Sequence, residues 1–219
     1  MRKITSALFS TALLILSCND GGDTKELKTD SAATKIQPEI KRDTSKPVVP
    51  DMAAMMKAWE DFKTPGDPHK WLEKTNGTWE AEMSQWMDPA AAPEKSKATI
   101  SQSSALGGRY VIGRYSGYTN KSPMQGMNIL GYDNAKKIFV STWIDDLGTG
   151  MVRMNGTYDE TTKTLNLKGY QTDPSTGKDM ELREEMTILD DDSYTLVMYG
   201  TGMDGKEVKF MEGTFKRKK

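Results

Sequence analysis

Met124–Asp159, MQGMNILGYDNAKKIFVSTWIDDLGTGMVRMNGTYD, is the stretch whose reading decides the fold. Its apolar residues alternate. Ile138, Val140, Thr142 and Ile144 share one face of an extended segment, and Phe139, Ser141, Trp143 and Asp145 share the other. Period-2 patterning in a run rich in β-branched and aromatic residues predicts a strand with large groups on both faces. Before it, Met127–Tyr132 reads as a second strand. Asp133-Asn134-Ala135-Lys136 joins the two as a hairpin, because Asp and Asn bond nearby backbone and enter the left-handed region. Asp145-Asp146-Leu147-Gly148-Thr149-Gly150 is a second turn. Asn155-Gly156 predicts a bulge or an early turn in the third strand.

Similar strands flank this stretch. Ten are predicted, near 78–87, 96–104, 109–117, 127–132, 136–144, 150–156, 163–170, 179–189, 193–200 and 207–216. Turn signals such as Asp173-Pro174-Ser175-Thr176-Gly177, Asp190-Asp191-Asp192 and Asp204-Gly205 separate them. Short connections force antiparallel pairing of neighbours. A ten-strand meander removes its exposed edges by closing into a barrel. The expected fold is therefore mainly β: a single antiparallel β-barrel over residues 76–219 with one or two short helices before it, over 51–75.

Asp51 caps the first predicted helix, which runs through Ala58. Met52, Met55, Met56, Trp59 and Phe62 form one apolar stripe at spacings of three and four. The stripe is expected to pack on its own domain; a membrane-bound helix would carry a Lys/Arg cluster on its opposite face, and this one does not. Thr64-Pro65-Gly66 stops the helix, and Asp67-Pro68 starts a second with Trp71 and Leu72 facing inward.

The N-terminus gives an expected address. Met1-Arg2-Lys3 is basic and Ala7–Leu16 is mostly apolar, a length of signal-peptide type too short to cross a bilayer. Ile15-Leu16-Ser17-Cys18 resembles the bacterial lipobox. That resemblance implies a signal peptide over residues 1–17, cleavage before Cys18, lipidation of Cys18 and a lipoprotein of the cell envelope. Asn19 after the Cys is similar to the sorting pattern for the outer membrane, on its periplasmic face or at the cell surface. Cys18 is the single cysteine, so no intrachain disulfide forms. Together with Cys18, residues 19–50 make up the lipidated linker. They hold no aromatic residue, few apolar ones and three prolines, the composition of a disordered tether. Contact with the membrane is expected through the lipid anchor alone.

Leu106-Gly107-Gly108-Arg109-Tyr110, Leu130-Gly131-Tyr132-Asp133-Asn134, Ser141-Thr142-Trp143-Ile144-Asp145, Gly148-Thr149-Gly150, Gly156-Thr157-Tyr158-Asp159 and Asp204-Gly205-Lys206-Glu207 together resemble one bacterial family, domain of unknown function 1579, over roughly residues 66–217. The resemblance implies a lipocalin-like (calycin) barrel and no established activity. Gly77-x-Trp79 is similar to the lipocalin Gly-x-Trp signature.

The chemistry is narrowly bounded. One histidine, His69, and no spare cysteine exclude ordinary zinc sites and Ser-His-Asp or Cys-His catalysis in most forms. A haem barrel of the nitrobindin type needs an axial ligand, and a lone helix-borne histidine suits surface or capping use better. No metal, cofactor or catalytic residue is assigned. Asp145-Asp146 and Asp190-Asp191-Asp192 lack the spacing of a calcium loop and read as solvated turns. No glycine-rich phosphate loop is present. The full chain carries 30 basic and 31 acidic residues; without Arg2 and Lys3 the balance is 28 to 31, a net −3, which argues against nucleic acid. Lys216-Arg217-Lys218-Lys219 reads as a solvated basic tail.

The remaining candidates are aromatic and charged residues on or near strands: Trp79, Tyr110, Arg114, Trp143, Asp145, Arg153, Tyr158 and Arg183. Arginines pointing into a barrel need partners, from a ligand carboxylate or from Asp145, Glu184 or Glu185. The expectation is a cavity at one end of the barrel for a small apolar or amphipathic molecule. Two alternatives stand beside it: a hydrolase or isomerase using buried carboxylates, and a structural or protein-interaction module of the envelope.

Overall fold

The structure is a computed structural model that describes residues 51–119, 121–202 and 204–219. The signal segment, Cys18 and the linker lie outside the described residues. Two helices, α1 (Met52–Lys63) and α2 (Asp67–Glu73), precede ten strands: β1 (Gly77–Gln85), β2 (Glu94–Ala105), β3 (Tyr110–Thr119), β4 (Ser122–Asp133), β5 (Ile138–Asp145), β6 (Val152–Asp159), β7 (Thr164–Thr172), β8 (Asp179–Asp190), β9 (Ser193–Thr201) and β10 (Glu207–Arg217). Every neighbouring pair is antiparallel, and β1 pairs with β10 from Trp79↔Arg217 to Gln85↔Met211, so the sheet closes into one barrel.

Turn chemistry cuts the strands where the sequence places Asp and Gly. The Asp133 carboxylate accepts the backbone N–H groups of Ala135 and Lys136, both at 2.9 Å, and fixes the β4–β5 hairpin. Asp159 and Asp173 do the same at the β6–β7 and β7–β8 turns. Strand β4 starts five residues before the predicted Met127, at Ser122. Pro123 and Gly126 weaken the strand pattern there, yet Pro123 is tolerated because β5 pairs with β4 only from Gly126 onward, leaving that stretch an edge. Asn155-Gly156 is neither a bulge nor a turn; it continues β6 in register with β5 and β7.

Period-2 alternation puts one apolar set inside. Trp79, Ala81 and Met83 of β1, Leu165 and Leu167 of β7, and Leu182 and Met186 of β8 are buried in the core. A bulge in β10 between Lys209 and Met211 breaks the alternation, and Phe210 and Met211 both reach the interior.

One end of the barrel is sealed by α2. Leu72 is fully buried, and Trp71 packs against Phe139 at 5.1 Å and Tyr158 at 4.7 Å between ring centroids. His69 is buried too. Its Nδ1 accepts the Gly66 N–H at 3.0 Å, closing the helix start, and its ring meets Tyr132 edge-on. Burial holds its pKa below the ordinary histidine value.

The helix α1 departs from expectation twice. It runs to Lys63, and its stripe does not pack on the barrel: Met52, Met56 and Trp59 are each about two-thirds exposed. Only its last turn is fastened. Asn134 Nδ2 donates to the carbonyls of Asp61, Phe62 and Thr64, and Arg109 donates to that of Lys63. The pattern of a helix says which residues share a face, not what covers it.

Arg217 is not part of a solvated tail. It ends β10, lies over the Trp79 ring at 4.1 Å, and donates to the carbonyls of Lys74, Asn76 and Asp191. Trp79 in turn donates to the Thr75 carbonyl at 2.8 Å. The pair ties the first strand, the last strand and the α2 connection together at the sealed end.

Candidate functional site

Inside the barrel lies a cavity of about 270 Å³. Its floor is Thr75, Tyr194 and Phe215, close under α2; its far end is reached by Gln85, Met124, Asp145 and Gln171. Between them the wall is mostly Met, Leu, Ile and Val, with Met154, Met186 and Met198 prominent. Among the described residues no helix covers the far end. An apolar chamber with few polar groups is the usual form of a small-molecule site, and flexible thioether side chains adapt to irregular occupants.

Trp143 and Asp145, on the inner face of β5, form its rim. The indole N–H donates to Asp145 Oδ2 at 2.6 Å, while Asp145 Oδ1 accepts the Leu147 N–H at 3.0 Å. Gly126 across the strand pair leaves room for the indole, which a Cβ there would overlap. Tyr115 meets Trp143 edge-on at 5.7 Å between centroids. At the same end Thr119 donates to Gln85 Oε1 at 3.0 Å.

Deeper down sits Glu184, on the inner face of β8 between Leu182 and Met186. Its residual exposure is to the cavity rather than to bulk water, and burial among apolar side chains pushes its carboxyl up to about 7. Tyr194 is nearly fully buried beneath it. Desolvation first, and the Glu184 charge second, raise the phenol well above its ordinary value, while the nearby Gln102 carboxamide acts in the opposite sense. Among the described residues, Gln102 Oε1 and Asn128 Oδ1 are buried without a hydrogen-bond partner.

The other sequence-predicted residues lie off the cavity. Trp79 is the buried support under Tyr194, with ring centroids 4.8 Å apart. Tyr158 belongs to the α2 seal. Tyr110 lies on the outer face over Gly131 and is 37% exposed. Arg114 is exposed on the outer face of β3. Arg153 and Arg183 face outward onto a surface groove with Lys168 and Tyr170. Arg183 is bridged there to Glu185 and to Glu207 at 2.7 Å, and stacks over the Tyr199 ring at 3.7 Å. These ion pairs keep its guanidinium above its ordinary value, the Glu207 bond contributing most. Arg114, Arg153 and Arg183 all face outward, so the case of arginines inside the barrel does not arise. Each alternates along its strand with residues that face the interior, and an inward charge without a partner costs several kcal/mol.

Sequence reasoning gave Glu184 only as a partner for arginine, and passed over Gln102, Asn128 and Tyr194. Their signal was parity: Glu184 alternates with Leu182 and Met186, Gln102 with Ile100, and Asn128 with Leu130, each a polar residue on an apolar face.

Among solved structures, the crystal structure of Rv2717c from M. tuberculosis is similar at 12% identity and a TM-score of 0.55, covering 71% of this chain and 100% of that one. The S-type phycobiliprotein lyase CPES from Guillardia theta is similar at 12% identity and a TM-score of 0.48, covering 74% and 97%. A redesigned β-barrel is similar at 15% identity and a TM-score of 0.35, covering 67% and 93%. The first likeness speaks for the barrel fold; the other two carry no argument. No curated protein sequence matches. Residues 64–217, nearly all of the helix-capped barrel, match the family described as "Protein of unknown function (DUF1579)", and the chain belongs to that family.

Proposed function

We propose that this protein is a lipoprotein of the bacterial envelope, anchored at the outer membrane through Cys18, whose barrel binds a small apolar or amphipathic molecule. The observation that carries the binding role is the interior chamber of about 270 Å³, walled by apolar side chains and sealed at one end by α2. The lipobox-like Leu16-Ser17-Cys18 and the polar stretch after it support the anchor. Two or more acyl chains hold a protein firmly to a bilayer, whereas one does so only marginally.

Native mass spectrometry of the protein purified from its own host tests the binding role. A small molecule released at one copy per chain is expected; its absence from repeated preparations overturns the reading. Fractionation tests the anchor. Cys18→Ser is expected to move the protein from the membrane to the soluble fraction, and an unchanged distribution contradicts lipidation.

A second reading, acid–base catalysis, is favoured by one observation: Glu184 has a carboxyl poised near neutrality in an apolar chamber. Turnover lost in Glu184→Gln without loss of binding would support it.

A further inference from the structure

Glu184 is a carboxyl without a cation. Among the described residues, no Lys, Arg or His lines the cavity. The titratable groups that share it are Tyr115 of β3, Asp145 of β5 and Tyr194 of β9, none of them basic. Glu184 is flanked in register by Leu167 of β7 and Met198 of β9, and neither offers a hydrogen bond through a charged group. A buried carboxylate left in this setting is costly unless something else supplies a positive charge or donors.

The neighbouring polar atoms point to the same missing chemistry. Gln102 and Asn128 are the register partners of Gly113 on its two sides. The Asn128 carboxamide oxygen occupies the space over Gly113, which a Cβ would overlap. Both carboxamide oxygens are buried acceptors with no donor among the described residues. The Tyr194 hydroxyl lies near the Gln102 carboxamide and within electrostatic reach of Glu184. Acceptors without donors around an apolar chamber match a ligand rich in donors.

We propose that the cavity selects an apolar molecule bearing a hydrogen-bond-donating head, above all a protonated amine, received by the Glu184 carboxylate in the cavity that the carboxamides of Gln102 and Asn128 also line. This rests on the binding role proposed above and names its ligand class. A chain carboxylate is the disfavoured counterpart, because it would face Glu184 with like charge.

The test is displacement of prodan, a neutral naphthalene dye without N–H donors, from the full-length protein by decylamine, decan-1-ol and decanoate. Decylamine is expected to bind at least about tenfold tighter than decanoate at pH 8, the scale of one charge-assisted hydrogen bond. Glu184→Gln is expected to remove that preference, bringing decylamine and decanoate affinities to within about twofold of each other. Should the variant fail to fold, the wild-type pH profile decides. Decylamine affinity rises between pH 5.5 and 8 as Glu184 ionises around its value of about 7, and decan-1-ol affinity does not rise. Equal binding of amine and carboxylate, a preference that survives Glu184→Gln, or a flat amine profile overturns the inference and leaves the cavity reading standing. Failure of prodan and all three chains to bind overturns both.

Discussion

Trp143 and Asp145 lie two residues apart on one strand, and the indole N–H of the first donates to the carboxylate of the second at 2.6 Å. Residues at i and i+2 of a strand share a face, so the bond lies on the barrel's inner wall at the unsealed end. It sets the orientation of the largest side chain at the cavity rim. The same carboxylate pins the following turn through the Leu147 N–H.

Asp145→Ala is therefore expected to cost about 1–3 kcal/mol of stability, since it leaves the partly buried Trp143 N–H unpaired. It is also expected to weaken prodan binding, because the indole is no longer held against Tyr115. Urea unfolding and a dye titration check the two effects. Unchanged values in both would mean that the rim is not fixed by this bond.

Glu184 makes stability depend on pH in a definite direction. Its carboxyl is raised from 4.5 to about 7 in the folded chain. Below pH 4.5 both states are protonated and the group contributes nothing. As pH rises toward and past 7 the unfolded state ionises freely while the folded state resists, so stability falls. At pH 8 the penalty is about 3 kcal/mol, since each tenfold difference in proton affinity between the two states is worth about 1.4 kcal/mol. Glu184→Gln in the ligand-free protein is expected to be more stable than the wild type at pH 8 by an amount of that order, and near-equal to it at pH 4. Urea unfolding at the two pH values measures this; an equal difference at both would contradict it.

The two helices should behave oppositely under mutation. Leu72 of α2 is fully buried, so Leu72→Ala is expected to cost about 2–5 kcal/mol. Trp59 and Phe62 of α1 are 64% and 46% exposed, so alanine at either is expected to change stability by no more than about 0.5 kcal/mol. Thermal unfolding of the three variants checks the contrast. A large loss from Trp59→Ala would show that the stripe is covered in the intact protein.

Local chemistry accounts for what the sequence made legible. Asp133, Asp159 and Asp173 each bond backbone N–H groups in their own turn, so the strand breaks could be read from residues that act on near neighbours. Closure followed from counting short antiparallel connections. The site was less legible, for two reasons. Aromatic and basic residues drew attention by type, yet Arg114, Arg153 and Arg183 stand on the outward parity of their strands. Arg217, within a basic run at the chain end, owes its place to Trp79 of the first strand, a partner across the closing pair of strands and far away along the chain. No local pattern reveals such a contact. Glu184, Gln102 and Asn128 were legible by parity, which requires trusting the alternation strictly enough to count a polar residue as inward.

Dye titration of wild-type protein and Met198→Trp bears most directly on the cavity's role. Met198 lines the chamber in register with Glu184, so an indole there fills the space a ligand would take. The wild type is expected to bind prodan saturably at one site, and Met198→Trp to lose at least about tenfold in affinity, equivalent to about 1.4 kcal/mol, while still folding. Undiminished binding by a folded Met198→Trp protein would place the dye elsewhere and contradict a ligand site within the barrel.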